Sequence, residues 1–187
     1  MQRISVIGGG AWGTALAQML AAAGRTSRLW AREGEVVAAI NDGHVNSIYL
    51  PDVSLHPELI ASGELAEVAE ADLLLLVTPA QFLRPVTAEL APHVAAGVPA
   101  VICAKGIEKD SYALMSEVLA ETMPDSPCAI LSGPTFAIEV AKGLPTAVTL
   151  ACADEELGNR IVATVGQPHF RPYWTDDVNG AQIGGGG

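Results

Sequence analysis

The strongest constraint on the fold lies in the first 24 residues, MQRISVIGGGAWGTALAQMLAAAG. A short apolar run, residues 4–7, leads into Gly8, Gly9 and Gly10, and a fourth glycine, Gly13, follows inside an alanine- and leucine-rich stretch. A glycine inside a helix or strand costs roughly 0.5–1 kcal/mol relative to alanine. A cluster of them needs a backbone that turns sharply or approaches something closely. Gly8-Gly9-Gly10-Ala11-Trp12-Gly13 matches the spacing GxGxxG at a strand-to-helix turn. In that setting Gly8 permits the turn, Gly10 lets the backbone approach a diphosphate, and Gly13 lets the helix pack against the strand. The unpaired N–H groups at the helix start add partial positive charge for the phosphates. No Gly-Lys-Ser/Thr sequence follows, which excludes a phosphate-cradling P-loop.

The rest of the chain alternates short apolar runs with helix-like segments. Strands are expected at 4–7, 28–30, 72–78, 100–104, 128–131, 146–152 and 169–174. Helices are expected at 11–23, stopped by Gly24, and at 35–40, 82–94, 111–122 and from the Ser132-Gly133-Pro134 turn to Lys142. A further helix follows Asp154, with Glu155 and Glu156 in its first turn where the helix dipole favours them. Pro85 belongs near the first turn of its helix or kinks it. In the 111–122 helix, Leu114, Val118 and Leu119 point inward. Residues 41–62, rich in Pro, Asn, Gly and His, read as mostly loop. The run DLLLLVT at 72–78 lacks polar alternation, as in a strand buried on both faces of a parallel sheet. The whole reads as α/β: a Rossmann-like, doubly wound, mostly parallel sheet with flanking helices.

Composition limits the partners. The 187 residues carry a formal net charge of −11, which argues against binding nucleic acid through its phosphates. A small local positive site for a phosphorylated metabolite remains compatible with it. Cys103, Cys128 and Cys152 show no metal-ligand spacing, an odd count that fits buried thiols in a reducing compartment. His44, His56, His93 and His169 are scattered, which argues against zinc. No stretch approaches the ~18 apolar residues of a membrane helix, and the expected location is the cytoplasm.

Three further stretches bear on chemistry. After the second strand the chain reads Leu29-Trp30-Ala31-Arg32-Glu33. An acidic residue there bonds the ribose 2′-hydroxyl of NAD, whereas an arginine meets the 2′-phosphate of NADP. Arg32 favours NADP, and Glu33 directly after it leaves NAD open. Lys105 follows a buried strand, at the end of the sheet where such folds bind ligands, and could hold a phosphate or polarise a carbonyl. The Leu131–Ala137 turn offers backbone N–H groups and the Thr135 hydroxyl to a second anion.

These residues carry a resemblance. GGGAWGTALA, Arg32, YLPDVSL at 49–55, VTPAQ at 77–81, AKGIE at 104–108 and SGPTFAIEV at 132–140 resemble the bacterial NAD(P)-dependent glycerol-3-phosphate dehydrogenases. The resemblance implies interconversion of sn-glycerol 3-phosphate and dihydroxyacetone phosphate with NAD(P), the entry to glycerophospholipid synthesis. It implies cofactor contacts at Gly8, Gly10, Ala11, Trp12, Gly13, Arg32, Tyr49, Lys105 and Ala137, and substrate contacts at Lys105, Gly133 and Thr135. Ala11 and Thr135 stand where serine is common in the family; Ala11 then acts through its backbone N–H, and Thr135 keeps a hydroxyl. It also implies a general-base lysine on a C-terminal all-helical domain, which would lie beyond Gly187. On that reading residues 1–180 form the dinucleotide domain, residues 181–187 begin a linker, no catalytic residue falls within the chain, and the chain by itself binds nucleotide with little turnover. Apolar surface left for the helical domain could also support a homodimer. The rival readings are a non-catalytic NAD(P)H-binding module and a dehydrogenase of 2-hydroxy acids or sugar nucleotides.

Overall fold

A computed structural model describes residues 1–184. The strands are β1 (Arg3–Ile7), β2 (Thr26–Trp30), β3 (Ile60–Ser62), β4 (Leu73–Leu76), β5 (Ala100–Ile102), β6 (Cys128–Ser132), β7 (Thr146–Ala151) and β8 (Phe170–Thr175). The helices are α1 (Ala11–Ala22), α2 (Gly34–Gly43), α3 (Leu65–Val68), α4 (Ala80–Leu90), α5 (Met115–Thr122), α6 (Ala137–Ala141), α7 (Glu155–Val165) and α8 (Val178–Gly184). The strands form one sheet in the order β3-β2-β1-β4-β5-β6-β7-β8. Neighbours pair in parallel except β6 and β7.

The central strands explain the sheet's burial. Leu73 and Leu75 face the layer containing α1, α2, α6 and α7, while Leu74 and Leu76 face α4 and α5. All four leucines are at most 1% exposed, which is why the run shows no polar alternation. Strand order reverses at β1, which has β2 on one side and β4 on the other. In open α/β sheets the crevice at the carboxyl ends of such a strand pair is the ligand position.

Several boundaries differ from the sequence reading. The 41–62 segment contains β3, a three-residue edge strand, with α3 just after it. Neither element is long enough to generate a periodic signal. Helix α4 begins at Ala80, so Pro85 occupies an interior position rather than the first turn. It therefore withholds one helical N–H donor from the Gln81 carbonyl. Helix α5 begins at Met115, with Leu114 as its N-cap and Glu117 returning its carboxylate to the Leu114 N–H at 2.7 Å. Leu114 is thus outside the helix, and Met115 takes the inward place beside Val118 and Leu119. Helix α7 starts as expected, with the Asp154 carboxylate accepting from the Leu157 N–H at 2.9 Å. Helix α8 extends past residue 180, and the Gln182 carboxamide accepts from the Ser116 N–H and donates to its hydroxyl, both at 3.0 Å. Residues 185–187, the rest of the expected linker, lie outside the described residues. None of the described helices is long and apolar enough to cross a membrane.

Candidate functional site

The glycine turn joins β1 to α1 at the sheet's reversal point. Gly8 has φ +134°, a region open to glycine and strained for L side chains, and its N–H donates to the Trp30 carbonyl at 3.0 Å. A Cβ on Gly13 would overlap the Gly8 carbonyl oxygen, and one on Gly9 would overlap the Ala31 methyl. Gly9, which the GxGxxG spacing leaves unspecified, is therefore required by the end of β2. A Cβ on Gly10 would meet nothing within 4 Å, because Gly10 faces open space.

That open space is the site. Gly10 is the N-cap of α1 and makes no side-chain cap, no acidic residue sits in the first turn, and Thr14 makes the bond back to the Gly10 carbonyl at 2.9 Å. The N–H groups of Ala11, Trp12 and Gly13 are left with no intrahelical acceptor, at the positive end of a twelve-residue helix. They open onto a cavity of about 380 Å³ that Gly8, Gly10, Ala11, Trp12 and Gly13 line. Arg32 and Tyr49 line the same cavity from the end of β2 and from the loop after α2.

A buried asparagine fixes this turn. Asn46, 1% exposed, donates from Nδ2 to the Gly9 carbonyl (3.0 Å) and to the Thr14 hydroxyl (2.8 Å), and its Oδ1 accepts from the Tyr49 N–H (3.2 Å). The loop bearing Tyr49 is thereby tied to the glycine turn. Sequence reasoning passed over Asn46 because it sits in a stretch without periodicity, more than thirty residues from the Gly9 and Thr14 groups it bonds.

A second cavity, about 360 Å³, shares Ala11, Trp12 and Thr78 with the first and continues it along the sheet. Lys105, Gly133, Thr135 and Ala137 line it. The structure thus brings every sequence-predicted site residue to one groove. A Cβ on Gly133 would stand 3.2 Å from Val148 Cα, so the antiparallel β7 leaves little room for a side chain there. Helix α6 has only five residues and an acidic first turn, so its dipole adds little to the second anion site expected there. What remains is Lys105, whose ammonium has no hydrogen-bond or ionic partner among the described residues, and the Thr135 hydroxyl. Thr78, at the seam of the two cavities and 4% exposed, has a buried hydroxyl with no hydrogen-bond partner among the described residues.

The Lys105 loop is held from outside. Gly106, Asp110 and Tyr112 all have positive φ. Arg84 of α4 grips both Glu108 oxygens at 2.8 and 2.9 Å and reaches Glu121 at 2.5 Å. Gln81 donates to the Ile107 carbonyl (2.9 Å) and accepts from the Lys109 N–H (2.8 Å). The Arg84 guanidinium, helped by the Ser111 hydroxyl, lowers the Glu108 carboxyl to about 2. Cys103, on the cavity wall, is chemically quiet, since burial pushes its thiol up to about 12.

The site's donor set fits a dinucleotide. There is a tight turn that needs glycine at positions 8, 9 and 13, a free helix N-terminus, an exposed arginine and a continuous groove leading to a lysine and a hydroxyl. Comparison with known proteins agrees. A family model described as "NAD-dependent glycerol-3-phosphate dehydrogenase N-terminus" matches residues 3–158. A protein of Paramagnetospirillum magneticum named glycerol-3-phosphate dehydrogenase [NAD(P)+] is 59% identical over 185 residues, 99% of this chain and 67% of its own length. One of the same name from Parvibaculum lavamentivorans is 54% identical, over 98% of this chain and 55% of its own length. The crystal structure of a glycerol-3-phosphate dehydrogenase from Coxiella burnetii superposes with a TM-score of 0.91 at 34% identity, covering 97% of this chain and 56% of that one. The chain thus spans between about half and two thirds of the length of these relatives. It belongs to the NAD-dependent glycerol-3-phosphate dehydrogenase family, of which it represents the N-terminal, sheet-bearing part.

Proposed function

We propose that this chain is the nucleotide-binding part of an oxidoreductase that interconverts sn-glycerol 3-phosphate plus NAD(P)+ with dihydroxyacetone phosphate plus NAD(P)H and a proton. The observation that carries the reading is the continuity of the groove: the free N-terminus of α1 opens at one end, and Lys105, Gly133 and Thr135 stand at the other. The Ala11, Trp12 and Gly13 N–H groups would hold the diphosphate, and Arg32 and Tyr49 the adenosine end. Ala137 and Lys105 would flank the reacting end. When bound, NAD(P) supplies the hydride acceptor or donor.

The chain's own residues position the second substrate. Lys105 and the Thr135 hydroxyl would bind a small phosphorylated substrate by charge and hydrogen bonding, Gly133 allowing its close approach. Among the described residues no carboxylate or imidazole lines this cavity, and its one thiol is held protonated. By the family resemblance, the base that takes the hydroxyl proton is proposed to come from the part of the relatives' length that this chain does not span, with Lys105 serving binding and charge stabilisation. The supply of glycerol 3-phosphate to phospholipids, a cytoplasmic location and association as a homodimer belong to the same proposal.

Binding tests it directly. NADPH and NADH titrations of this chain should both saturate, and Arg32→Ala should weaken NADPH by about tenfold with little effect on NADH. Equal weakening of both would remove Arg32 as reader of a 2′-phosphate; saturation by neither would remove the proposed function.

A further inference from the structure

Arg32 and Glu33 are adjacent and oppositely charged at the mouth of the nucleotide cavity, and the structure treats them differently. Glu33 is the N-cap of α2, where a side chain ordinarily turns back to the helix N–H groups, yet it makes no cap bond. Its carboxylate accepts instead from the Tyr49 hydroxyl at 3.2 Å. Tyr49 is in turn anchored through its N–H to Asn46, which is bonded to the glycine turn. Arg32 is exposed and makes no ion pair among the described residues. All three side chains line one cavity with Gly8–Gly13. Glu35, in the first turn of α2, adds a second negative charge nearby, and the Tyr49 hydroxyl is held protonated above its ordinary range by Glu33 first and Glu35 after it.

The geometry points to Glu33 and Tyr49 as a specificity-setting pair. The Tyr49 hydroxyl holds the Glu33 carboxylate off the ribose, so that Arg32 alone reads the 2′ position. The held charge tempers the preference for a 2′-phosphate and keeps a 2′-hydroxyl acceptable. This rests on the proposed dinucleotide site and adds how that site chooses between its two cofactors. A carboxylate near a 2′-phosphate repels it, and the repulsion grows if the carboxylate is free to swing toward it.

The two partners therefore predict opposite shifts. Dissociation constants for NADPH and NADH are measured at one fixed ionic strength for the unaltered chain, Glu33→Gln and Tyr49→Phe. Glu33→Gln should tighten NADPH about three- to fivefold and change NADH less than twofold. Tyr49→Phe frees the carboxylate and should move the ratio toward NADH. An unchanged ratio in both variants overturns the pair while leaving the dinucleotide site in place. A selective loss of NADH in Glu33→Gln also overturns it, because Glu33 would then be holding the 2′-hydroxyl itself. Failure of the unaltered chain to bind either nucleotide overturns the site, and this inference with it.

Discussion

The glycine turn and the Lys105 loop sit at two ends of one groove and are built by different means. The turn is fixed by backbone crowding: Gly8, Gly9 and Gly13 each stand where a Cβ would strike main chain or a buried methyl. Asn46, itself buried, locks it from behind. The loop is exposed at Lys105, Lys109 and Tyr112, carries three positive-φ residues, and is held by side chains of α4 through an ion pair and a carboxamide. A crowded turn has one conformation whatever the pH or salt. A stapled loop keeps its shape only while its carboxylate is charged and its partners are present.

The sharpest way to break this contrast is to fill the turn. Gly13→Ala should cost more than about 2 kcal/mol of stability, measured by denaturant unfolding, since the α1–β1 contact must open. Gly10→Ala is its counterpart: the same methyl enters open space, so stability should fall by less than about 1 kcal/mol while NADPH binding weakens at least tenfold. If the two variants lose stability equally, the crowding account is wrong.

A middle-sized effect is expected from Asn46→Ala. It removes two buried donor bonds to the turn, a loss of about 1–3 kcal/mol, and it frees the Tyr49 N–H. Both unfolding stability and nucleotide affinity should drop. Loss of stability with affinity intact would mean that the turn is held by its glycines alone.

The smallest change in global stability should come from the loop. Glu108 is lowered from its ordinary 4.5 to about 2 by Arg84 and Ser111. A depressed carboxylate stabilises the fold fully above its unfolded value and ceases to do so as pH falls through its folded one. The Glu108–Arg84 hold should thus be complete from pH 5 upward and fade between about 4.5 and 2. Hydrogen exchange at residues 105–112, corrected for intrinsic rates, should speed up across that window, and Glu108→Gln should show the fast rate already at pH 7. A loop equally protected in the variant would show that Gln81 suffices.

Much of this architecture is legible in the primary structure. Leu73–Leu76 announces a strand buried on both faces, and GxGxxG after an apolar run announces a helix that begins at a ligand. Lys105 and Thr135 are recoverable because each follows a strand at the end where a parallel sheet binds. Short elements are not: β3 and α3 are fixed by pairing with β2 and packing on the sheet, contacts with no local period. Asn46, Thr78 and Arg84 escape for the same reason, since their partners lie far along the chain or across an empty groove.

Residue order by itself determined the alternation of strands and helices, the place of the glycine turn and the pattern shared with a dehydrogenase family, because periodicity and turn chemistry act over a few neighbours. Only the tertiary structure decided that Gly9 is needed against Ala31, that Asn46 ties a distant loop to the turn, and that the Glu33 carboxylate goes to Tyr49 while Arg32 stays free. Those outcomes depend on which surfaces meet once the sheet is assembled, and no local pattern encodes such meetings.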